Sequence, residues 1–346
     1  MVVKTVYIVT GANGFLGNNI VRKLSGKGEI RALVLPKDSV KPLEGLNCTI
    51  YRGDVTDKAS LEPLFRVDKD TKLYVIHCAG LVYIKSRPNP QVEHVNFDGT
   101  KNMAELTLAA GGKLLYVCSV HALPEKPEDQ VMGEVSSFDP EKVEGAYAKV
   151  KAKSAQYILD MVRNQGLNAC ILQPSGIIGP NDYGRSHLTM MLLDYALGRL
   201  KVCVKGGYDF VDVRDVAQGV IAACERGAAG ESYILSNRFV SVREMLDMAA
   251  EFLGKKRIKL VLPMWMAKAV APLAEIYYDI LKQPPLFTRY SMNVLCSNGF
   301  FTNDKAKKVL GYTTRDFRET IRDAVDSLAA QGRIPKKKPK AKPSTL

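Results

Sequence analysis

A chain of 346 residues, 46% hydrophobic and 25% charged, is long enough to bury its own core without disulfide or metal support. Its seven cysteines (Cys48, Cys78, Cys118, Cys170, Cys203, Cys224 and Cys296) are dispersed, odd in number and contain no Cys-x-x-Cys pair, and its four histidines (His77, His94, His121 and His187) lack metal-ligand spacing. This argues for reduced thiols in a cytoplasmic protein and against a metal site. The net charge of +13 is weighted to the C-terminal end, where Arg333, Lys336, Lys337, Lys338, Lys340 and Lys342 stand among prolines. Residues 331–346 therefore read as a solvated, disordered basic tail, and no aromatic or base-reading motif accompanies them, so no specific nucleic-acid partner is expected.

The chain enters its first strand directly after Met1-Val2-Val3-Lys4, with no signal peptide expected. The run Val6-Tyr7-Ile8-Val9-Thr10 meets Gly11-Ala12-Asn13-Gly14-Phe15-Leu16-Gly17, and an amphipathic pattern through Ile20, Val21 and Leu24 follows. A strand, a glycine-rich turn and a helix form a pyrophosphate site: glycines let the backbone approach the phosphates, and the helix N-terminus presents free N–H groups. The spacing G-x-x-G-x-x-G is one residue longer than the common dinucleotide fingerprint.

A second strand is expected over Ile30–Leu35. Its tip would meet the adenosine ribose, where an acid selects NAD. Here the run ends Leu35-Pro36-Lys37-Asp38, with no acid at the tip itself. Lys37 suits a 2′-phosphate and tilts the expectation to NADP(H), while Asp38 keeps NAD(H) open. Strands at Cys48–Arg52, Leu73–His77, Leu114–Cys118 and Asn168–Gln173 alternate with helices near Pro90–Ala110 and Glu144–Asn164. That alternation predicts an α/β doubly wound parallel sheet of Rossmann type. Gly11, Asp54, Ala79 and Ser119 then all fall at C-terminal strand ends, where one ligand would span them.

Within the helix after residue 144, Tyr147 and Lys151 are four apart and share a face. The lysine would favour the phenolate of Tyr147 and make it an effective proton donor or acceptor. The most apolar stretch, Leu260–Ile276, is interrupted by Lys268, Pro272 and Glu275, too broken to span a membrane. It reads first as a buried helix or the wall of an apolar pocket, with a membrane-surface helix as the lesser alternative.

With these residues in hand the chain resembles the extended short-chain dehydrogenases/reductases, the NAD-dependent epimerase/dehydratase family, from residue 5 to about 328. The likeness rests on Gly11, Gly14 and Gly17; Gly53-Asp54-Val55; His77-Cys78-Ala79-Gly80; Asn96 with Gly99-Thr100; Ser119, Tyr147 and Lys151; Gln173-Pro174-Ser175-Gly176-Ile177-Ile178-Gly179-Pro180; and Phe210-Val211-Asp212-Val213-Arg214-Asp215-Val216-Ala217. Pro285–Ser291 and Lys305–Tyr312 are similar to the dihydroflavonol reductase and 3β-hydroxysteroid dehydrogenase branch. Two positions depart from the plant dihydroflavonol reductases: Leu35-Pro36-Lys37 stands where they carry Arg, and Cys118 where they carry Ser.

The resemblance implies hydride transfer between a nicotinamide and a ketone or alcohol, with Ser119, Tyr147 and Lys151 catalytic. It implies a dinucleotide held by Gly11, Asn13, Gly14, Phe15, Leu16, Gly17, Lys37, Asp54, Val55, Cys78, Ala79, Gly80, Asn96, Tyr147, Lys151, Pro174, Ser175 and Ile177. Residues 1–173 with about 209–238 would form the dinucleotide domain. About 174–208 with 239–330 would form an interleaved, smaller substrate lobe. Val82, Tyr83, His121 and Tyr183, with the 262–278 segment, would wall a site for an apolar steroid-, flavonoid- or aldehyde-like molecule, and a homodimer is expected by analogy. The alternative is a nucleotide-sugar epimerase or dehydratase, with Arg214 and Arg289 as a phosphate clamp. A dinucleotide-sensing protein without activity is disfavoured because Ser119, Tyr147 and Lys151 are all present.

Overall fold

The computed structural model describes residues 3–83, 89–127, 129–184, 186–267, 269 and 289–335. β1 (Thr5–Thr10) runs into the glycine turn and α1 (Phe15–Leu24), followed by β2 (Glu29–Val34) and β3 (Thr49–Arg52). The short α2 (Lys58–Leu61) starts at Asp57, whose carboxylate accepts the Ala59 N–H, and leads to β4 (Lys72–His77). Next come α3 (Pro90–Glu93), a π-helical turn over His94–Asp98 and α4 (Gly99–Ala109), so the long helix expected near Pro90–Ala110 carries one widened turn. β5 (Lys113–Val117), α5 (Ala146–Gln165) and β6 (Asn168–Pro174) complete the first half. α5 begins two residues later than expected because Gly145 sits just before it at φ +91°.

The seven-stranded sheet has the order β10-β6-β5-β4-β1-β2-β3, with β10 (Ser232–Leu235), and every pairing in it is parallel. Strand order reverses between β1 and β4, which opens a crevice above their C-terminal ends. The inner strands are nearly continuous buried runs because both faces are covered, while edge strand β3 is largely exposed. One face carries α1 and α7 (Val213–Arg226); the other carries α4 and α5.

The chain leaves this sheet after β6. β7 (Gly176–Ile178), β9 (Gly207–Asp212) and β11 (Arg238–Ser241) form a three-stranded sheet, and β8 (Val202–Val204) pairs with β12 (Leu260–Leu262). These carry α6 (His187–Ala196), α8 (Val242–Leu253), α9 (Arg289–Val294) and α11 (Phe317–Ala330).

Two segments differ from expectation. α10 (Asp304–Leu310), expected in the substrate lobe, packs through Ala306, Leu310 and Tyr312 onto the α1/α7 side of the large sheet. The basic tail, expected from Gln331, is packed as far as Ile334: that side chain is buried, and Arg333 Nη1 donates to the Asp182 carbonyl at 3.0 Å. One apolar residue and one carbonyl acceptor are enough to hold it down. Residues 336–346 and most of the 262–278 segment lie outside the described residues. No helix among the described residues is long and apolar enough to cross a membrane.

Candidate active site

The glycine turn is shaped by its own backbone. Gly11 adopts φ +60°, and its carbonyl accepts the Gly14 N–H at 2.9 Å. A Cβ at Gly17 would lie 2.1 Å from the Gly11 carbonyl oxygen, so any side chain there would force the turn and the helix apart. The first turn of α1 has no side-chain cap and no acidic residue, which leaves its N–H groups and dipole facing the crevice. A cradle open to backbone approach and an uncapped helix end fit a dinucleotide pyrophosphate.

From this cradle a cavity of about 680 Å³ runs along the strand ends. Gly11, Asn13, Gly14, Phe15, Leu16 and Gly17 line its start, and Asp54 and Val55 line one flank. Cys78, Ala79 and Gly80 form its floor, and Ser119, Tyr147, Lys151, Pro174, Ser175 and Ile177 line its middle. The sequence-predicted dinucleotide residues thus converge, with two exceptions.

The first exception is Lys37. It is exposed and absent from the lining, whereas Asp38 faces the cavity. The turn after β2 decides this. Arg52, at the end of β3, donates from Nη1 to the Leu35 carbonyl at 2.9 Å and the Asp38 carbonyl at 2.7 Å, and Asn13 Nδ2 donates to Asp38 Oδ2 at 3.2 Å. The acid therefore occupies the ribose end of the cavity. The second exception is Asn96. Its amide donates to the Leu81 carbonyl at 3.0 Å and accepts the Leu81 N–H at 2.8 Å, so it fixes the loop after β4 from behind. A Cβ on Gly80 would come 2.9 Å from its Oδ1.

Beneath the floor runs a directional hydrogen-bond chain. The Ala79 N–H donates to Thr10 Oγ1 at 3.0 Å, which lies 2.8 Å from His77 Nδ1. His77 Nε2 lies 3.1 Å from Thr100 Oγ1, and Thr100 donates to the Asn96 carbonyl at 2.6 Å. Because Thr100 spends its proton on that carbonyl, His77 must donate from Nε2 and accept at Nδ1. Burial pushes the His77 pKa down to about 3, which keeps the ring neutral.

Ser119, Tyr147 and Lys151 are all buried at the cavity wall. Ser119 caps a short turn and its Oγ accepts the His121 N–H at 3.2 Å, which leaves its proton for another acceptor. Lys151 Nζ donates to the Val117 carbonyl at 2.9 Å and lies 4.9 Å from the centroid of the Tyr116 ring. Burial lowers its pKa, offset in part by the neighbouring Cys118 and Cys78. Burial raises the Tyr147 pKa well above the usual phenol range; Cys118 and Tyr290 add to this and Ser119 opposes it. The lowering expected from Lys151 is not felt at Tyr147, because the ammonium is turned toward β5.

Beyond this trio the cavity becomes aromatic and aliphatic. His121 stacks on Tyr208 with centroids 5.5 Å apart and an angle of 11°, and meets Tyr147 edge-on at 6.4 Å. Burial pushes the His121 pKa down to about 4, so it is a neutral wall residue. Tyr290, Phe210, Leu188, Met191, Val204 and Leu295 complete this end, beside Val82.

Tyr290 and Tyr208 were not singled out from sequence. The motifs around Arg289-Tyr290-Ser291 and Phe210-Val211-Asp212 held the signal, but only the packing of α9 and β9 against Gly145 and His121 turns them inward. Tyr83 and Tyr183 are not in the lining. Asn18 and Asn19 of α1 donate to the Asn181 and Pro180 carbonyls, at 3.0 and 3.3 Å, and carry that loop to the outer side of α1. There the Tyr183 hydroxyl lies 3.4 Å from Arg22 Nη2.

Behind Ser175 sits Asp209, 1% exposed. It accepts the Ser175 hydroxyl at 2.5 Å and the Asn237 N–H at 3.0 Å. Burial outweighs these bonds and pushes its pKa up to about 6. Arg214 is consumed elsewhere: it donates to Asp212 and Asp323, each at 2.7 Å. Arg315 reaches Asp215 Oδ1 at 2.7 Å and Asp212 at 3.5 Å. The phosphate clamp expected of Arg214 is therefore not available, and the side chain of Arg289 lies outside the described residues.

The sequence profile of the NAD dependent epimerase/dehydratase family matches residues 7–236. The chain belongs to that family. Its likeness to sterol demethylase protein B of Methylococcus capsulatus is 30% identity, covering 94% of this chain and 99% of the relative. A putative dihydroflavonol 4-reductase of Synechocystis is 27% identical, covering 92% and 93%. Among solved structures, gox2253 superposes with a TM-score of 0.81 at 31% identity, covering 96% of this chain and 99% of that one. Within the epimerase/dehydratase family these likenesses place the chain among the extended short-chain dehydrogenases/reductases, on the dihydroflavonol reductase and 3β-hydroxysteroid dehydrogenase side. Its fold is the family's NAD-binding Rossmann fold, and it is an oxidoreductase acting on hydroxyl and keto groups.

Proposed function

We propose that the protein transfers hydride between NAD(H) and the carbinol or carbonyl carbon of an apolar, sterol-like alcohol or ketone. The observation that carries this reading is the continuity of the cavity. It leads from a pyrophosphate cradle, past Ser119, Tyr147 and Lys151, to an aromatic end with no Asp, Glu, Lys or Arg among its described lining residues. A charged nucleotide sugar would leave its phosphates unpaired there, and Arg214 is already committed to Asp212 and Asp323. The similarity to a sterol demethylase protein favours a flat, polycyclic substrate.

A bound nicotinamide supplies or accepts the hydride. The chain's own residues do the rest. Ser119 donates its remaining proton to the substrate oxygen and holds it. Tyr147 takes the hydroxyl proton during oxidation, or returns one to the oxygen during reduction. Lys151, its ammonium held toward β5 by the Val117 carbonyl, orients ribose hydroxyls. Asp38 accepts hydrogen bonds from the adenosine ribose and repels a 2′-phosphate, so NAD(H) is preferred over NADP(H). The aromatic end excludes water from the reacting carbon.

The test is a panel of hydroxysteroids, ketosteroids, flavonoids and nucleotide sugars with NAD⁺/NADH and NADP⁺/NADPH, followed by the absorbance of the reduced cofactor. Turnover of polycyclic alcohols or ketones with NAD(H) is expected. Turnover confined to nucleotide sugars overturns the proposal.

A further inference from the structure

The loop and strand after α8 present an unusual surface. Gly254, at φ +65°, ends the helix, and Lys255, Lys256 and Lys259 follow, all exposed. Among the described residues none of these three lysines pairs with a carboxylate; Arg257 shares a shallow groove with Asp247 and Glu251. The next residues are apolar and equally exposed: Leu260 is 57%, Trp265 72% and Met266 37% accessible. Trp265 is the only tryptophan in the chain. Buried Ile258 and Ala267 anchor the two ends of the stretch, and the pairing of β12 with β8 fixes its middle. The display is thus held by the fold.

We propose that residues 255–267 dock the protein on an anionic lipid bilayer. The chemistry is complementary on both counts. An exposed indole, leucine and methionine within seven residues suit the boundary between headgroups and acyl chains, where tryptophan partitions preferentially. Lysines beside them are drawn to a negative surface, each contributing about fivefold in affinity. A second copy of this chain is a poorer occupant, because it would bring two sets of unpaired lysines together. The docked face lies next to the substrate end of the cavity: β12 pairs with β8, and Val204 of β8 is in the cavity wall. The docking itself does not depend on which substrate that cavity takes.

The sole tryptophan provides the test. Full-length protein is mixed at low salt with vesicles of phosphatidylglycerol and phosphatidylcholine, or of phosphatidylcholine alone, and Trp265 emission and co-sedimentation are followed. Anionic vesicles should shift the emission to the blue, and brominated acyl chains should quench it. Neutral vesicles should bind at least tenfold more weakly. Combined Lys255→Glu, Lys256→Glu and Lys259→Glu should cost at least tenfold in vesicle affinity. Trp265→Ser should lose binding while Trp265→Phe keeps most of it, with unchanged turnover of a short soluble ketone in both.

Co-sedimentation without a change in Trp265 emission overturns the proposal, because the basic C-terminal residues then hold the vesicle. A blue shift that depends on protein concentration without lipid also overturns it, because a second copy then covers the face. Wild-type affinity in the triple lysine variant does so as well.

Discussion

The Lys151 ammonium lies 4.9 Å from the centroid of the Tyr116 ring, on the strand beneath the cavity, with the Val117 carbonyl as its hydrogen-bond acceptor at 2.9 Å. No carboxylate is among the groups that perturb it. A buried ammonium with one neutral acceptor depends on the ring's quadrupole to remain charged. Tyr116→Leu removes that face. We expect kcat/KM to fall roughly tenfold to thirtyfold, from about 2 kcal/mol of lost cation–π attraction. The alkaline limb of the pH–rate profile should move to lower pH, since the charged lysine is destabilised. Tyr116→Phe keeps the ring and should stay within about threefold of wild type. Equal losses in the two variants would assign Tyr116 a packing role only.

Tyr147→Phe removes one hydroxyl and leaves Ser119 and Lys151 in the wall beside it. Turnover should drop about 10²- to 10⁴-fold, the range for a positioned proton donor. Dinucleotide affinity, measured by quenching of protein fluorescence, should change by less than about threefold. Retained turnover sinks the assignment of Tyr147 as the proton-transfer group.

At the ribose end, Asp38→Ala should weaken NADH binding about tenfold to a hundredfold, the loss of hydrogen bonds to a charged acceptor. NADPH binding should improve or stay level. Lys37→Ala should leave both affinities unchanged, because its side chain points to solvent. Calorimetric titration of both cofactors against both variants decides it: a selective loss of NADPH affinity in Lys37→Ala reverses the assignment.

Asp209 supplies a pH prediction. Its folded pKa, about 6, is raised above the carboxylate's unfolded value. The folded state therefore binds more protons between about pH 4 and 6, and this group's contribution to stability falls as pH rises through that window. The shift is worth about 3 kcal/mol at most. Asp209→Asn removes that contribution, so the stability difference between variant and wild type should change sign or shrink toward the upper end of the window. Urea denaturation at several pH values measures it. His77 and His121, held neutral, act in the opposite direction and are common to both proteins, so they cancel in the difference.

Gly17→Ala tests the cradle. A methyl group 2.1 Å from the Gly11 carbonyl oxygen cannot be accommodated without moving the turn. We expect loss of dinucleotide binding together with about 1–3 kcal/mol of destabilisation, the usual cost of overpacking.

Much of this architecture is legible in the sequence where local chemistry decides it. The apolar runs placed six of the seven strands of the large sheet within a residue or two, and the glycine spacing located the crevice. Ser119, Tyr147 and Lys151 meet because two of them share a helix face and the third ends the strand that helix packs on. The sequence ranks Lys37 ahead of Asp38, and the cavity lining reverses that order, because the turn that aims one inward is tied by Arg52, from a strand neither belongs to. Tyr183 is an aromatic in a loop beside a substrate lobe, and only the two asparagines of α1 reveal that the loop is pulled to the far side. Tyr290 and Tyr208 reach the cavity from elements distant in sequence, so no local pattern announces them.

Asp212 and Asp215 are almost fully buried at the start of α7, and Arg315 contacts both, with Asp215 one hundred residues before it in the chain. A nascent chain that stops short of Arg315 carries these two carboxylates with Arg214 alone to neutralise them. The helix that backs the glycine turn therefore waits on Arg315, a hundred residues downstream of Asp215. Chains truncated between Leu295 and Arg315, which spare every described residue of the cavity, should still be cofactor-blind.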